Sequence, residues 1–320
     1  MKAVLDLDIS RIVKETSSIV LIELVSHDGS ALPLYQAGAH IELKLPNGLL
    51  RQYSLCRLPT TGMSYEIAVL KDPHSRGGSE LLHKMQVGDR LQASYPQNHF
   101  LLKNPRKTAI LLGAGIGITP LIPMAQMLSK TGVDFALHYS AKSPASAAFY
   151  DQLKTSVFAD KVHWHFSNSN SRLDIESLLR GFTSHPDLYI CGPSQYIEEV
   201  MNCAKVMGWP EEKLHREFFT GTKSPLMDQV PREMFQVKIA SSGQMIDVPP
   251  GVSITEALEM NGIDIPISCE EGWCGTCMTR VIDGVPDHRD TFLSPQEHAR
   301  NSLIMPCCSG SRSDCLVLDL

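Results

Sequence analysis

Through the first hundred residues apolar and polar side chains alternate in short runs, at 11–14, 19–25, 40–45, 51–55, 65–70 and 90–93. A period of two sends successive side chains to opposite faces of a strand, and turn formers such as Asp28-Gly29, Asn47-Gly48 and Gly88-Asp89 punctuate the runs. The pattern predicts a small antiparallel barrel. Beyond about residue 104 the texture changes: strand-like runs at 108–112, 135–139, 162–166 and 188–191 alternate with helix-length stretches at 121–129, 147–155, 175–179 and 196–207. Such alternation predicts a doubly wound parallel α/β sheet. Turn formers then crowd residues 220–232, as a linker would. A third segment follows, with strand-like runs at 235–240 and 245–248, a helical stretch at 254–260 and a terminal strand at 316–320. The expected domains are 1–103, 104–222 and 234–320, with 223–233 as linker.

Composition narrows the function. Of 320 residues 43% are hydrophobic and 20% charged, which is the balance of a globular chain and not a disordered one. A net charge of −6 argues against nucleic acid, which demands a basic face. The charge is uneven: from Pro231 onward there are 13 acidic and 6 basic residues, net −7, against 22 and 23 in the rest. Residues 108–128 are apolar enough to imitate a membrane span, but Gly113, Gly115, Gly117, Pro120 and Pro123 break it, so no membrane segment is expected. Cysteine is odd in number, at nine, and no secretory leader pattern follows Met1, so the expectation is a reducing cytoplasm and not a disulfide scaffold.

Six of the nine cysteines fall in the last 52 residues. Cys269 and Cys274 are separated by four residues, Cys274 and Cys277 by two, and Cys277 and Cys307 by 29. Three close thiolates and a distant fourth is the plant-type [2Fe–2S] spacing, with Gly272 and Gly275 letting backbone amides approach the sulfurs. A four-cysteine zinc site would show two short-spaced pairs, and the second pair is missing. Spacing favours Cys307 over its neighbour Cys308 as fourth ligand, and Cys315 reads as a core residue.

The run Cys269-Glu270-Glu271-Gly272-Trp273-Cys274-Gly275-Thr276-Cys277, with Pro286-Asp287-His288-Arg289-Asp290, resembles the ferredoxin domain of the phthalate dioxygenase reductase family. The resemblance runs over essentially the whole chain. It implies a Greek-key flavin-binding β-barrel, a nucleotide-binding α/β domain and a C-terminal β-grasp [2Fe–2S] ferredoxin domain, in that order.

Gly113-Ala114-Gly115-Ile116-Gly117-Ile118-Thr119-Pro120 lies between a strand-like run and a helical stretch, the setting of a pyrophosphate loop. Its glycines admit a close backbone, Thr119 is expected to cap the helix, and Pro120 suits the first turn. The spacing is G-x-G-x-G and not the dehydrogenase fingerprint. Cys191-Gly192-Pro193 ends another strand-like run, where a parallel sheet presents its ligand edge; an isolated cysteine there would merely pack. The resemblance implies that both loops touch the nicotinamide nucleotide, with Cys191 near the hydride path. It also favours NADH, although Lys142 could meet a 2′-phosphate.

Arg51-Gln52-Tyr53-Ser54-Leu55 carries an Arg-x-Tyr-Ser pattern that resembles the flavin signature of the same superfamily. Out of context it reads as a solvated strand face. In context the arginine suits a phosphate, the tyrosine the ring or ribityl chain, and the Ser54 hydroxyl the flavin N5. Ser75-Arg76-Gly77-Gly78-Ser79 precedes a helical stretch and reads as a second anion loop. By resemblance the flavin is FMN, lined by Ala68, Val69 and Lys71, with Phe219 against the ring and Phe218 as its rival. Ser54 and Cys191 are the expected catalytic residues.

A nicotinamide gives two electrons together and a [2Fe–2S] cluster takes one, so a flavin must convert between them. His288 and Asp287 read as structural or docking residues, and no histidine shows metal-ligand spacing. Nothing resembles an oxygen-activating facial triad or a haem motif, so the outlet is a separate protein. The expectation is the monomeric NADH-dependent reductase of a Rieske-type aromatic oxygenase or O-demethylase, docking through its acidic ferredoxin domain. A reductase for a cytochrome P450 and a non-catalytic redox sensor are the alternatives.

Overall fold

Alternation in the first segment becomes six antiparallel strands, β1 (Val4–Lys14), β2 (Ile19–Ser26), β3 (His40–Lys44), β4 (Leu50–Ser54), β5 (Ser64–Leu70) and β6 (Arg90–Ser94), with a short helix α1 (Gly78–Leu82) before the last. The computed structural model describes residues 4–59, 62–73, 75, 77–103, 107–169, 171–182, 184–219, 234–270 and 272–320. The strands lie in the order β4-β3-β6-β1-β2-β5. Leu55, one residue past β4, bridges Ile67 of β5, so the two edge strands meet and the sheet closes as a barrel. Leu7, Ile9, Ile22, Leu24, Ile41, Leu43 and Ile67 fill it. The alternation at 11–14 marked only the end of β1; its earlier outward positions carry Asp6 and Asp8, held by Gln92 and Arg90 of β6.

The second segment forms β7 (Ala109–Ala114), α2 (Leu121–Lys130), β8 (Phe135–Ala141), α3 (Tyr150–Lys154), β9 (Val162–Phe166), α4 (Ile175–Arg180), β10 (Asp187–Gly192), α5 (Ser194–Val206) and β11 (Leu214–Phe218). All five strands are parallel, in the order β11-β10-β7-β8-β9. The chain therefore winds outward from β7 to β9 and returns to the other side of β7. β11 did not show in the hydrophobic pattern because, as an edge strand, it carries Arg216 and Glu217. Barrel residues Ile19, Leu21, Cys56, Ala68 and Phe100 share one apolar core with Leu111, Ile118, Leu121, Met124, Tyr139 and Cys191. These two layers accordingly form one compact unit, 1–219, and the rest a second, 220–320. The expected linker, 223–233, lies outside the described residues.

The second unit contains β12 (Phe235–Ile239), β13 (Met245–Val248), α6 (Ile254–Met260), β14 (Thr279–Asp283), β15 (Pro286–Asp287), α7 (Pro295–Arg300), β16 (Leu303–Ile304), β17 (Gly310–Ser311) and β18 (Cys315–Leu318). Its main sheet runs β13-β12-β18-β14-β16, with β12 and β18 parallel and the other pairs antiparallel. Ser253 and Glu256 cap each other's backbone at the start of α6, and Ile254, Ala257 and Leu258 bury against Val237, Ile246, Leu316 and Leu318. A helix held in a mixed sheet is a β-grasp. Among the described residues no helix is long and apolar enough to cross a membrane.

Candidate cofactor sites

Four buried thiols converge in the second unit. Cys277 Sγ lies 3.3 Å from Cys307 Sγ, and Cys269 is within hydrogen-bonding reach of both Cys274 and Cys307. The hydrogen bond to Cys269 is the largest influence holding the Cys274 and Cys307 thiols above the ordinary range, while the hydrogen bond shared with Cys307 draws Cys277 below it. Sulfurs this crowded ionise together only around a cation, which is what a metal core provides. The loop geometry agrees: Gly272 and Gly275 both have φ of +75°, and a Cβ on Gly275 would lie 2.4 Å from the Phe292 ring. A Cβ on Gly272 would strike Cys308 Sγ at 2.3 Å. Cys308 itself packs against Met305 O and Ser309, and Cys315 begins β18. The residues fit an iron–sulfur core.

In the first unit the strand order reverses between β7 and β10, and the crevice outside their carboxyl ends is where open α/β sheets take ligands. Both glycine-bearing loops end there. A Cβ on Gly117 would sit 2.3 Å from Cys191 O, and one on Gly192 would sit 2.8 Å from the Ala114 Cβ, so the loops touch because side chains are missing. Gly113 follows the same rule, with Leu121 Cδ1 3.1 Å from its absent Cβ, whereas Gly115, at φ +56°, faces open space. The expected cap needs correction. Thr119 is already helical (φ −56°, ψ −48°) at the end of a 3-10 turn, so its hydroxyl donates back to Ile116 O at 3.0 Å, and Pro120, not Thr119, is the N-cap of α2, which has no side-chain cap.

The flavin candidates gather where the end of β4 meets β5 and at the start of α1. Ser54 and Leu55 are buried at the end of β4, beside Ala68 and Val69 of β5, and Lys71 is exposed just beyond. Arg51 packs over the start of α1: a Cβ on Gly78 would lie 2.9 Å from Arg51 Cγ. Gly77 turns there at φ +95°, and Ser79 Oγ accepts from Asp72 N at 3.2 Å. Burial pushes the Tyr53 hydroxyl up from its usual range. Arg76 lies outside the described residues. Phe218 packs into the core on the α4–α5 side, where Arg216 covers its ring, while Phe219 packs into the core shared with the barrel.

Residues 237–310 match the family described as 2Fe-2S iron-sulfur cluster binding domain. Over 305 residues the chain is 45% identical to vanillate O-demethylase oxidoreductase from Pseudomonas sp. (strain HR199 / DSM 7063), covering 94% of this chain and 95% of the relative. Phthalate dioxygenase reductase, described as a modular structure for electron transfer from pyridine nucleotides to [2Fe–2S], is similar at TM-score 0.74 and 34% identity, over 99% of this chain and 98% of that one. The chain belongs to the phthalate dioxygenase reductase family. An intact type IV self-sufficient cytochrome P450 monooxygenase is also similar, at TM-score 0.88 and 34% identity, over 99% of this chain and 41% of that longer one. This family member is an oxidoreductase, the electron-transfer reductase component of an oxygenase system.

Sequence reasoning passed over two buried groups of the reductase. Glu217 pairs with Cys191 across β10 and β11, on the face that carries Tyr189 and His215. Its Oε2 is buried without a hydrogen-bond partner, and burial pushes the carboxyl up to about 8. Burial, and then Glu217, also hold the Cys191 thiol far above its usual range, so both groups are neutral at pH 7. The other is His40, opposite Ser54 in the β3–β4 register. Burial, and then His99, pull it down to about 3, and neither ring nitrogen has a hydrogen-bond partner. In sequence Glu217 is one acid in an unremarked strand and His40 one polar residue in an alternation. Only the strand pairing sets them beside the candidate catalytic residues.

Proposed function

We propose that this chain takes a hydride from NADH at the β7–β10 edge and delivers electrons singly through a [2Fe–2S] cluster to a separate Rieske-type aromatic oxygenase or O-demethylase. The observation that carries the reading is the shared core of the first unit, which holds Ala68 of the flavin strand together with Cys191 of the nucleotide edge. Hydride donor and acceptor would thus meet inside one compact unit, while the one-electron centre has a unit of its own. An FMN bound where β4 meets β5 supplies the conversion between an electron pair and single electrons.

Arg51, with Gly77, Gly78 and Ser79, would hold the flavin phosphate, and the Ser54 hydroxyl would meet N5. Tyr53, Leu55, Ala68, Val69 and Lys71 would wall the pocket, with Phe219 over the ring. Gly113, Gly115, Gly117, Thr119 and Pro120 would cradle the dinucleotide pyrophosphate, with Cys191, Gly192 and Pro193 at the nicotinamide. Cys269, Cys274, Cys277 and Cys307 would ligate the cluster. The net charge of −7 from Pro231 onward supports docking to a basic patch on the oxygenase. None of the nine cysteines forms a disulfide, which supports a reducing cytoplasm, and we take the working form to be a monomer.

Anaerobic titration of the purified protein with NADH tests the relay. Flavin and cluster bands should both bleach; a flavin that bleaches above a cluster that stays oxidised, or an absent flavin, would defeat it. Electron delivery to a Rieske oxygenase should fall steeply with ionic strength. Equal delivery to a cytochrome P450 would move the partner to the haem class.

A further inference from the structure

The histidines carry no ligand spacing in sequence, but the fold of the second unit gathers two of them around a carboxylate. His288 and Asp290 follow β15, and His298 comes from α7. That helix is placed firmly, with Pro295 in its first turn and Ser294 and Glu297 capping each other's backbone. It ends at Asn301, whose left-handed backbone (φ +53°) closes the last turn. One ligand atom each from His288, Asp290 and His298 lies within 4.8 Å of the others. His298 Nε2 is 3.2 Å from Asp290 Oδ1, and His288 Nδ1 is 3.7 Å from the same oxygen. Ligands at about 2.0–2.1 Å around a tetrahedral ion stand about 3.3–3.5 Å apart, so the observed spacings bracket that edge.

The surroundings of His288 Nδ1 are what point to a cation. Asn301 Oδ1, an acceptor, lies 3.2 Å from His288 Nε2, so the ring proton belongs on that nitrogen. His288 Nδ1 then carries a lone pair. It is buried, on a side chain only 9% exposed, and it has no hydrogen-bond partner. It faces Asp290 Oδ1, another lone-pair atom, on a side chain with no exposure at all. Asp290 also hydrogen-bonds with His298 Nε2 through both carboxylate oxygens at 3.2 Å, and a cation among the three side chains would give the buried His288 Nδ1 the partner it lacks. The outer contacts are those of a ligand set: Asn301 fixes the His288 tautomer, and Leu293 N donates to Asp290 Oδ2 at 2.8 Å, orienting the carboxylate. His298, 30% exposed, is the side of this group that solvent reaches.

We propose that His288 Nδ1, Asp290 Oδ1 and His298 Nε2 form a binding site for a divalent cation of the zinc type, separate from the four-cysteine cradle. Neutral imidazoles with one carboxylate suit such borderline ions better than magnesium or calcium. The site stands directly behind the cluster loop. Thr291 N donates to Gly272 O at 3.0 Å, and Asp290 Cα lies 3.0 Å from where a Cβ on Gly272 would be. A bound ion would clip α7 to the segment that braces that loop. The proposal does not depend on the electron-transfer reading.

The test is zinc uptake by the untagged holoprotein, with zinc and iron counted together by plasma mass spectrometry after dialysis against Zn²⁺. About one zinc per chain is expected, with iron unchanged, because the site needs no cysteine. His298→Ala should abolish uptake, and Asn301→Gly, which keeps the left-handed backbone, should weaken it by about 10–100-fold. Wild type retaining no more zinc than His298→Ala, or gaining zinc only as iron is lost, would overturn the site. X-ray absorption at the zinc edge of the wild type decides the matter independently of any variant's folding. A nitrogen and oxygen shell supports the site, and a sulfur shell refutes it.

Discussion

Three of the four candidate cluster ligands, Cys269, Cys274 and Cys277, come from one stretch of nine residues, whereas at the β7–β10 edge Gly117 meets Cys191 from more than seventy residues away. The first site is made of side chains that are present, donors whose crowding is relieved by a metal. The second is made of side chains that are absent, because two loops touch only where neither carries a Cβ. The contrast predicts different failures. Losing a donor should empty the cluster site and leave its unit folded, while adding a methyl group at the sheet edge should force two distant loops apart.

The largest effect should come from the cluster ligands. Cys307→Ala should lose the cluster and lower NADH-driven reduction of a one-electron acceptor by more than about 100-fold, beyond what losing an outer partner costs, while NADH still bleaches the flavin. Cys308→Ala should keep its iron, since Cys308 Sγ packs on Met305 O and Ser309. Iron analysis of the two variants checks the pair, and the reverse result would exchange the ligand assignment.

Next comes Gly117→Ala, whose new Cβ would lie 2.3 Å from Cys191 O. It should destabilise the first unit by about 1–3 kcal/mol and weaken NADH binding, with the cluster bands unchanged. Thermal melting and a nucleotide titration would show it.

Glu217→Gln should act through pH. The carboxyl titrates at about 8 in the fold against an ordinary 4.5, so between those values the folded chain holds a proton that the unfolded chain releases. Stability is therefore full below the lower value, falls as pH rises through the window, and levels off above the upper one. The variant stays neutral throughout, so the fall that Glu217 causes should be absent from it, and its stability relative to wild type should rise with pH across the window and level off above about pH 8. Denaturant melts from pH 5 to 9 measure the difference. The smallest effect belongs to Ser253→Ala, which removes the α6 cap and should cost the second unit about 1 kcal/mol, leaving NADH affinity in the first unit unchanged.

How much of this could be read in advance depended on the range of the interactions involved. Thiol spacing, glycine loops and strand alternation are local, and they marked the cluster cysteines, the loop at Gly113–Pro120 and most barrel strands. β11 escaped because an edge strand with Arg216 and Glu217 lacks an apolar run. The Thr119 cap was misjudged because the 3-10 turn before α2 already holds that residue in helical geometry. Phe218 and Phe219 are adjacent and alike in sequence; the two faces of the sheet separate them.

The sequence by itself determined the three architectures and the class of chemistry and singled out four candidate cluster donors, since each is written in the type and spacing of residues. Only the tertiary structure decided which groups are sealed from water and what they face there. Glu217 beside Cys191 and His40 opposite Ser54 owe their neutral forms to burial at positions set by strand pairing, and His288 and His298 meet around Asp290 only because the fold brings α7 to that loop. Desolvation is a property of surroundings, and surroundings exist only once the chain has folded.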